Sequence, residues 1–348
     1  MSKFDGVRRA VFLADSPRMR EALRPARDRR LITLVRDKHI DVLELSDTGI
    51  EGRHSRICKS GALFVNAAFS PDQGCLAIVY LTGARANATV TLSLWTMATG
   101  KDPCTGGPGE SWTEGKILAS TRIDQTSPDT AYLANLSFST DGKSLASNVG
   151  AVARLWDLAS GREYRLSPPT ESQEALPEEV RLSPDGKYLA VYFSADRYRA
   201  VHLWEWQSGG DRRHLCDVYS DMKFSPDSTL FGFTLKADLG EVTEHTAVEV
   251  IAVNDLSHRQ TIHPPKEYRG VSAIGFLDSE RLAIGGHKRI GFFSLKTGQP
   301  LGEGSHPGPF MAPSQLAGEV TDIEFSLDGL MLTSGESGAA NLWRVSAR

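Results

Sequence analysis

The sequence predicts an all-β chain built from seven repeated antiparallel sheets, and two observations carry that prediction. The first is a run of short apolar strands separated by tight turns: residues 136–157 read LSFSTDGKSLASNVGAVARLWD. Short strands punctuated by Asp-Gly and Gly turns indicate an antiparallel meander. The second is the recurrence of this phrase along the chain, which indicates a repeat architecture.

Each copy of the phrase can be placed by the aspartate of its first turn. These aspartates are Asp15, Asp72, Asp141, Asp185, Asp227, Asp278 and Asp328. The clearest copies continue to a strand that ends in Leu-Trp, at Trp95, Trp156, Trp204 and Trp343. Successive aspartates are 42 to 69 residues apart. A four-stranded unit needs about 40–45 residues, so each interval holds one unit plus insertions.

On these residues the chain resembles the WD-repeat β-propeller family, over nearly all of its 348 residues. The resemblance implies an all-β, seven-bladed β-propeller of four-stranded antiparallel blades, forming a single domain over residues 1–348. We expect the blades at approximately 7–58, 65–123, 133–166, 178–216, 219–263, 270–302 and 319–348.

The chain departs from the His–Asp tetrad of that family. No Gly-His pair precedes a first strand, and only Trp156-Asp157 is a literal Trp-Asp pair. The positions six residues before the four tryptophans, where the tetrad aspartate is expected, hold Thr89, Gly150, Tyr198 and Ser337. The departure weakens the prediction of tetrad-locked blades and leaves the fold prediction unchanged.

Two stretches break the regular pattern of the blades. Only residues 1–6 precede the first inner strand and only 345–348 follow Trp343-Arg344, whereas a strand typically has five or six residues. We therefore expect a last blade with three good strands, or a chain cut from a longer protein. The insertion at residues 98–115 is expected to form a long, mobile hairpin tip in blade two, with Trp112 partly exposed.

Composition agrees with a soluble repeat protein. The chain has 40% hydrophobic residues, 32 glycines and 17 prolines, which suit many strands joined by tight turns. It has no apolar run long enough to cross a membrane and no secretory leader, so we expect no membrane contact. The four cysteines, Cys58, Cys75, Cys104 and Cys216, show no pairing logic. This favours a reducing compartment, and the expected localisation is cytoplasmic.

The N-terminal 38 residues form a basic segment in an acidic chain. They hold 11 Lys or Arg against five Asp or Glu, whereas the whole chain has a net charge of −4. The secondary basic patch predicted here consists of Arg18, Arg20, Arg24, Arg27, Arg29 and Arg30. Such asymmetry can mark an acidic partner. The alternative is a solvated insertion in blade one. Nucleic acid is disfavoured, because no aromatic residues interleave with the arginines and the pI is 6.2.

Topology predicts the partner-binding surface. Turns between the second and third strands of every blade, together with the blade-to-blade connections, must lie on one rim. The candidate residues there are Arg36, Lys38, Arg85, Arg197, Tyr198, Arg199, His287, Lys288, Arg289, Phe310 and Met311. Arginine and tyrosine beside an apolar loop are typical of interface hot spots, and the resemblance implies that this rim is the usual binding face. The alternative is that basic residues occupy turns because turns are solvated.

The sequence contains no convincing motif for catalysis or metal binding. Residues 335–339, GESGA, lack the final glycine and the strand-to-helix turn of a nucleophile elbow. The nine histidines form no zinc motif, so no metal and no cofactor are expected. The innermost strands offer Arg181, Lys223, Asp322 and Glu324, which have mixed sign and include no histidine. This set suits the polar lining of a channel better than a catalytic site.

The sequence therefore predicts a non-enzymatic scaffold or sensor module. It would bind a protein or peptide partner, an acidic one among the alternatives, through one rim of the propeller. It would act as a monomer unless it is part of a longer chain. The alternative, from a different class, is a propeller enzyme or small-ligand binder that acts at the central channel. Analogy of fold favours binding but does not identify the ligand.

Overall fold

The computed structural model describes most of the chain. The described residues are 2–4, 9–12, 30–46, 49–72, 74–83, 88–101, 104, 108–122, 134–166, 174–195, 198–207, 212–216, 218–239, 242–255, 257–301, 319–325, 330–335 and 340–345. Contacts divide the chain into two units, one of residues 6–180 and one of residues 181–348 with residues 3–5.

Sheets one to three are each a four-stranded antiparallel meander. Sheet one contains β2 (Arg9–Phe12), β3 (Arg30–Val35), β4 (Ile40–Ser46) and β5 (Gly49–Ile57). Sheet two contains β6 (Ala62–Phe69), β7 (Cys75–Thr82), β8 (Thr89–Lys101) and β9 (Pro108–Arg122). Sheet three contains β10 (Leu136–Phe138), β11 (Ser144–Ser147), β12 (Ala153–Asp157) and β13 (Glu163–Leu166), with a 3-10 turn at Val149–Ala151.

Sheets four to six continue the same order along the chain. Sheet four contains β14 (Leu176–Leu182), β15 (Tyr188–Ala195), β16 (Tyr198–Glu205) and β17 (Arg212–Cys216). Sheet five contains β18 (Val218–Phe224), β19 (Leu230–Leu239), β20 (Val242–Ala252) and β21 (Arg259–Ile262). Sheet six contains β22 (Ala273–Phe276), β23 (Arg281–Gly286) and β24 (Arg289–Ser294), after a 3-10 turn at Lys266–Tyr268.

Sheet seven joins the two ends of the described chain. It contains β25 (Val320–Phe325), β26 (Leu330–Gly335) and β27 (Ala340–Arg344), and its fourth strand is β1 (Ser2–Phe4). The expected three-stranded last blade is therefore wrong, because three N-terminal residues add the missing strand through backbone pairing. Among the described residues it is sheet six that has three strands, with a single bridge between Phe293 and Pro300 beside its last strand.

The Ser-Asp pair of the repeated phrase closes the turn between the first and second strands of a sheet. In sheet three the Ser139 hydroxyl donates to Asp141 Oδ1 at 2.7 Å, and that oxygen accepts the backbone N–H of Lys143 at 3.0 Å. The Ser139 hydroxyl oxygen accepts the backbone N–H of Ser144 at 3.0 Å. The same bonds recur at Ser70–Asp72, Ser183–Asp185 and Ser225–Asp227. Short polar side chains that satisfy local backbone donors fix each turn, so the phrase marks the repeat for a physical reason.

The middle strands of sheet two are buried on both faces because this sheet packs between sheets one and three. Ile78 of β7 shares a core cluster with Val42 of sheet one, whereas its neighbour Val79 shares one with Leu145 of sheet three. Successive strand residues point to opposite faces, so one strand serves two cores. In the second unit, neighbouring sheets share cores in the same way. Sheets four and five share one that contains Val201 and Phe233, sheets five and six one that contains Val250 and Ile284, and sheets six and seven one that contains Ala283 and Met331.

The insertion at residues 98–115 corrects one expectation, the partial exposure of Trp112. Its ends extend β8 and β9 as a paired hairpin, with Met97 opposite Trp112 and Lys101 opposite Pro108. Trp112 is 1% exposed and its indole N–H donates to Ser55 Oγ of sheet one at 3.1 Å. Trp112 thus anchors the base of the hairpin and is not partly exposed as expected, whereas residues 102–103 and 105–107 at the predicted mobile tip lie outside the described residues.

Two cysteines correct the expectation that none would pair. Cys58 and Cys104 form a disulfide, with their Cα atoms 5.3 Å apart, between the end of sheet one and the β8–β9 hairpin. A spacing of 46 residues with no recognisable motif gave no sequence signal for this bond. Cytoplasmic localisation stays a prediction, without the support that unpaired cysteines would have given it.

Candidate functional site

Several predicted binding residues lie outside the described part of the chain. These are Arg85, Arg197, Phe310 and Met311 of the rim, and Arg18, Arg20, Arg24, Arg27 and Arg29 of the secondary basic patch. Arg30 is placed as the first residue of β3, by its backbone alone. The remaining candidates occupy three turns, each between the second and third strands of its sheet, and the three turns differ in what they do.

The turn between β3 and β4 directs its arginine inward. Asp41, which is 6% exposed, accepts hydrogen bonds from Arg36 Nε at 3.3 Å and from Arg56 Nε at 2.7 Å. Burial opposes the charge of Asp41, but the two guanidinium groups and His39 outweigh it, so the pKa of Asp41 lies below its ordinary value. Arg36 therefore holds the turn together. Lys38 is exposed and forms no ion pair with a described residue.

The turn between β15 and β16 uses Tyr198 inside the blade. Its hydroxyl lies 2.6 Å from His202 Nε2, and the two rings stack with their centroids 6.3 Å apart. His202 is 3% exposed and stacks in turn on Trp204 at 5.7 Å. Tyr198 thus contacts the blade tryptophan through a histidine; its side chain is only partly buried, and its role in an interface stays a prediction. Arg199 beside it is exposed.

The turn between β23 and β24 presents its charges to solvent. Lys288 and Arg289 are exposed and form no ion pair with a described residue. The backbone N–H of His287 donates to the carbonyl of Tyr268 at 2.8 Å, which ties this turn to the connection between sheets five and six. Gly286 makes the approach possible, because a Cβ there would lie 2.5 Å from the same carbonyl oxygen.

That connection adds two more cations, Lys266 and Arg269, which are also exposed and without an ion-pair partner among the described residues. We call the set Lys266, Arg269, Lys288 and Arg289 the blade-six basic patch. The nearby acids are Glu267, and Glu319, whose backbone bridges to His287. Four cations against two carboxylates leave the patch positive in a chain whose net charge is −4.

Backbone strain accompanies the patch. Arg269 has φ 49° and Lys288 has φ 57°, both in the left-handed region that glycine and asparagine usually occupy. A long basic side chain in that region costs about 1 kcal/mol or more and persists where the surroundings hold it in place. Sequence reasoning found residues 287–289 but missed Lys266 and Arg269, because the connection HPPKEYRG has no periodic pattern. Its lysine and arginine around a proline turn were the available signal.

The four inner-strand candidates for chemistry come together in the second unit. Lys223 Nζ lies 2.8 Å from Asp322 Oδ1 and 2.7 Å from Glu324 Oε1, and Arg181 Nε donates to the carbonyl of Met222 at 3.2 Å. Burial and Arg181 would lower the pKa of Lys223, but Asp322 and Glu324 outweigh them and raise it. A lysine held protonated between two carboxylates is unsuited to act as a base, and the cluster serves as an ion-pair link between β18 and β25.

Within the described residues, no group of three His, Cys, Asp or Glu side chains is placed to hold a metal ion. Nor does any helix in the described part of the chain have the length and apolarity needed to cross a lipid bilayer.

Comparison with known proteins places the fold. No protein-family model matches the sequence, and no curated protein matches it either. Three solved structures are similar over 91% of this chain. A chain of the Mitotic Checkpoint Complex aligns over 88% of its own length, with a TM-score of 0.59 and 12% identity. Kuenenia stuttgartiensis hydrazine synthase aligns over 93% of its chain, with a TM-score of 0.58 and 13% identity.

The third is the β-propeller domain of Myceliophteria thermophila Cps50 (Swd1), aligned over 94% of its chain with a TM-score of 0.55 and 12% identity. At these identities the likeness concerns the fold. Together with the seven antiparallel sheets, it confirms the predicted seven-bladed β-propeller and the resemblance to WD-repeat propellers. The likeness includes an enzyme as well as a checkpoint complex, so fold alone does not decide the function.

Proposed function

We propose that the chain is a non-catalytic interaction module that binds an acidic segment of a protein partner on the blade-six basic patch. The observation that carries the proposal is that exposed, positively charged side chains stand on a backbone that buried residues hold in place. Gly286 and Tyr268 are buried and fix the backbone, while Lys266, Arg269 and Lys288 extend into solvent with no ion-pair partner among the described residues.

Such an arrangement suits electrostatic recognition. Cations on a fixed backbone require no loop ordering when a partner carboxylate arrives, and they accelerate association with an acidic surface. The similarity to a propeller chain of a checkpoint complex agrees with a protein partner. The rest of the predicted rim, including Lys38 and Arg199, is proposed as a weaker extension of the binding surface, and the cytoplasm as its location.

The test is proximity crosslinking and recovery of partners by the full chain, followed by affinity measurements with the main partner recovered. We expect the double variant Lys288→Glu/Arg289→Glu to weaken binding at least tenfold, about 1.4 kcal/mol. A matched control reverses two exposed lysines on first turns of other blades, Lys143→Glu/Lys187→Glu, and should change affinity less than twofold. Equal recovery by wild type and the patch variant would overturn the proposal.

A further inference from the structure

A groove of about 700 Å³ lies between sheets five and six, at the ends of β23 and β24 remote from the basic patch. It is open to solvent on one side. Its volume falls in the range of about 300–1,000 Å³ that ligand sites occupy. β24 has six residues and therefore spans roughly 20 Å, so the groove and the basic patch are separate surfaces.

The floor of the groove is apolar. Val250 and Ile251 of β20 are 4% and 0% exposed, and Leu230, Leu295 and Leu301 lie above them, only partly buried. Leu230 and Leu295 pack against the core shared by sheets five and six. The floor is thus an extension of a rigid core that remains accessible to an apolar side chain from outside.

The arginines that line the groove are already neutralised. Arg259 Nη1 lies 3.0 Å from Glu249 Oε1, and Arg281 Nε lies 2.7 Å from Asp278 Oδ2. Guanidinium groups held this way are fixed in place and add little net charge. The balance disfavours a polyanion such as a nucleic acid, which needs a continuous excess of cations.

Two charges at the mouth of the groove remain available. Lys296 and Glu280 are exposed, have opposite sign, and form no ion pair with a described residue. The backbone N–H of Leu295 donates to the carbonyl of Glu280 at 2.7 Å, which holds the two charged residues side by side. A complementary ligand therefore carries one acidic and one basic group next to an apolar anchor.

We propose that this groove binds a short extended segment of a protein partner, which inserts a large aliphatic or aromatic side chain flanked by one acidic and one basic residue. The anchor fills the space over Leu230, Leu295 and Leu301, and the flanking charges pair with Lys296 and Glu280. Burial of one such anchor contributes about 1.5–3 kcal/mol, and the charge pairs select the direction of the segment.

The probe is a phage-displayed library of random 12-residue peptides, selected on the immobilised full chain. We expect enriched peptides to share an apolar anchor with an acid and a base within a few residues. Their affinity should fall at least tenfold for Glu280→Trp, which fills the mouth, and for Leu301→Asp, which places a charge on the floor. Lys143→Trp is the matched control, since Lys143 occupies the same turn position after Asp141 as Glu280 does after Asp278.

Each variant is first shown to unfold at the same urea concentration as wild type, so that a lost signal reports the groove. No enrichment, or equal binding to wild type, Glu280→Trp and Leu301→Asp, would overturn the proposal. So would enriched peptides that are purely acidic and lose affinity only for Lys288→Glu/Arg289→Glu, a result that would support the basic patch instead. Self-association abolished by Glu280→Trp would assign the groove to a second copy of this chain and reject a separate partner.

Discussion

The basic turns of sheets one and six have similar sequences and opposite roles. Both follow the second strand of a sheet, and both carry lysine, arginine and histidine. In sheet one, the second residue of β4 is Asp41, which pairs in register with Leu34 of β3. Its carboxylate accepts a hydrogen bond from Arg36 of the turn. In sheet six the same register position holds Ile290, which is 3% exposed and offers no charge to its neighbours. The residue at the second position of the third strand therefore distinguishes a basic turn that pairs with the blade from one whose cations face solvent.

The largest expected effect on stability comes from removing the disulfide. Its Cys58 lies two residues after Arg56, which hydrogen-bonds to Asp41 of the sheet-one turn. Replacing Cys58 by Ser opens a loop closed over 46 residues and should lower the free energy of unfolding by about 3 kcal/mol. Urea unfolding measures the change, and Cys75→Ser, which removes a thiol that is free in the structure, is the control. Thiol titration of the unfolded chain should also find two fewer thiols without reductant than with it. Equal counts would contradict the bond.

Removing the charge of Asp41, which organises the sheet-one turn, should lower the free energy of unfolding by less than removing the disulfide does. Asp41→Asn keeps the shape of the side chain but leaves two guanidinium groups without their carboxylate, so we expect a loss of about 2 kcal/mol. The measurement is again urea unfolding. Glu267→Gln, which changes an exposed acid in another turn, is the control and should change stability by less than about 0.5 kcal/mol. A similar cost for both variants would show that Asp41 does not organise the turn.

Acid should weaken the sheet-one turn through His39. Burial lowers the pKa of His39 below its ordinary 6.5, Asp41 raises it in part, and Arg56 lowers it further. The unfolded chain then binds the proton more readily than the folded one, so stability falls as the pH drops through 6.5. The lowered pKa of Asp41 adds a second loss, as the pH falls below about 3.8. The unfolding free energy of His39→Asn should vary less between pH 7 and 5 than that of wild type; equal slopes would contradict the assignment.

The smallest effect on stability is expected at the blade-six basic patch. Lys288→Ala/Arg289→Ala removes two exposed cations with no ion-pair partner among the described residues, so the free energy of unfolding should change by less than about 0.5 kcal/mol. Thermal and urea unfolding check this directly. A loss above 1 kcal/mol would place the two side chains among the groups that hold the fold, as Arg36 is in sheet one.

The sequence predicted the parts of this fold that local chemistry determines. The Ser-Asp phrase predicted the turns at Asp72, Asp141, Asp185 and Asp227 because its hydrogen bonds lie within five residues. The Leu-Trp endings predicted third strands because tryptophans such as Trp95 and Trp156 are buried in the cores between sheets. What it missed depends on partners distant along the chain. Neither the strand β1, nor the Cys58–Cys104 bond, nor the pairing of Arg56 with Asp41 shows a pattern within its own segment.

The residues of the candidate site also fall into those that the sequence predicted and those that it missed. Topology placed Lys288 and Arg289 on a solvent-facing turn, but it could not show that Tyr198 hydrogen-bonds to a buried histidine. Nor could it add Arg269, which comes close to the turn through the bond between His287 and the carbonyl of Tyr268.

The pairing of β1 with β27 has a consequence for biosynthesis. Residues 2–4 are made more than 300 residues before β27, the strand with which they pair. At about 5–20 residues per second, the N-terminal segment waits on the order of tens of seconds for its neighbour. During translation the growing chain therefore carries β1 without its partner strand, and sheet seven can be completed only after β27 has been made.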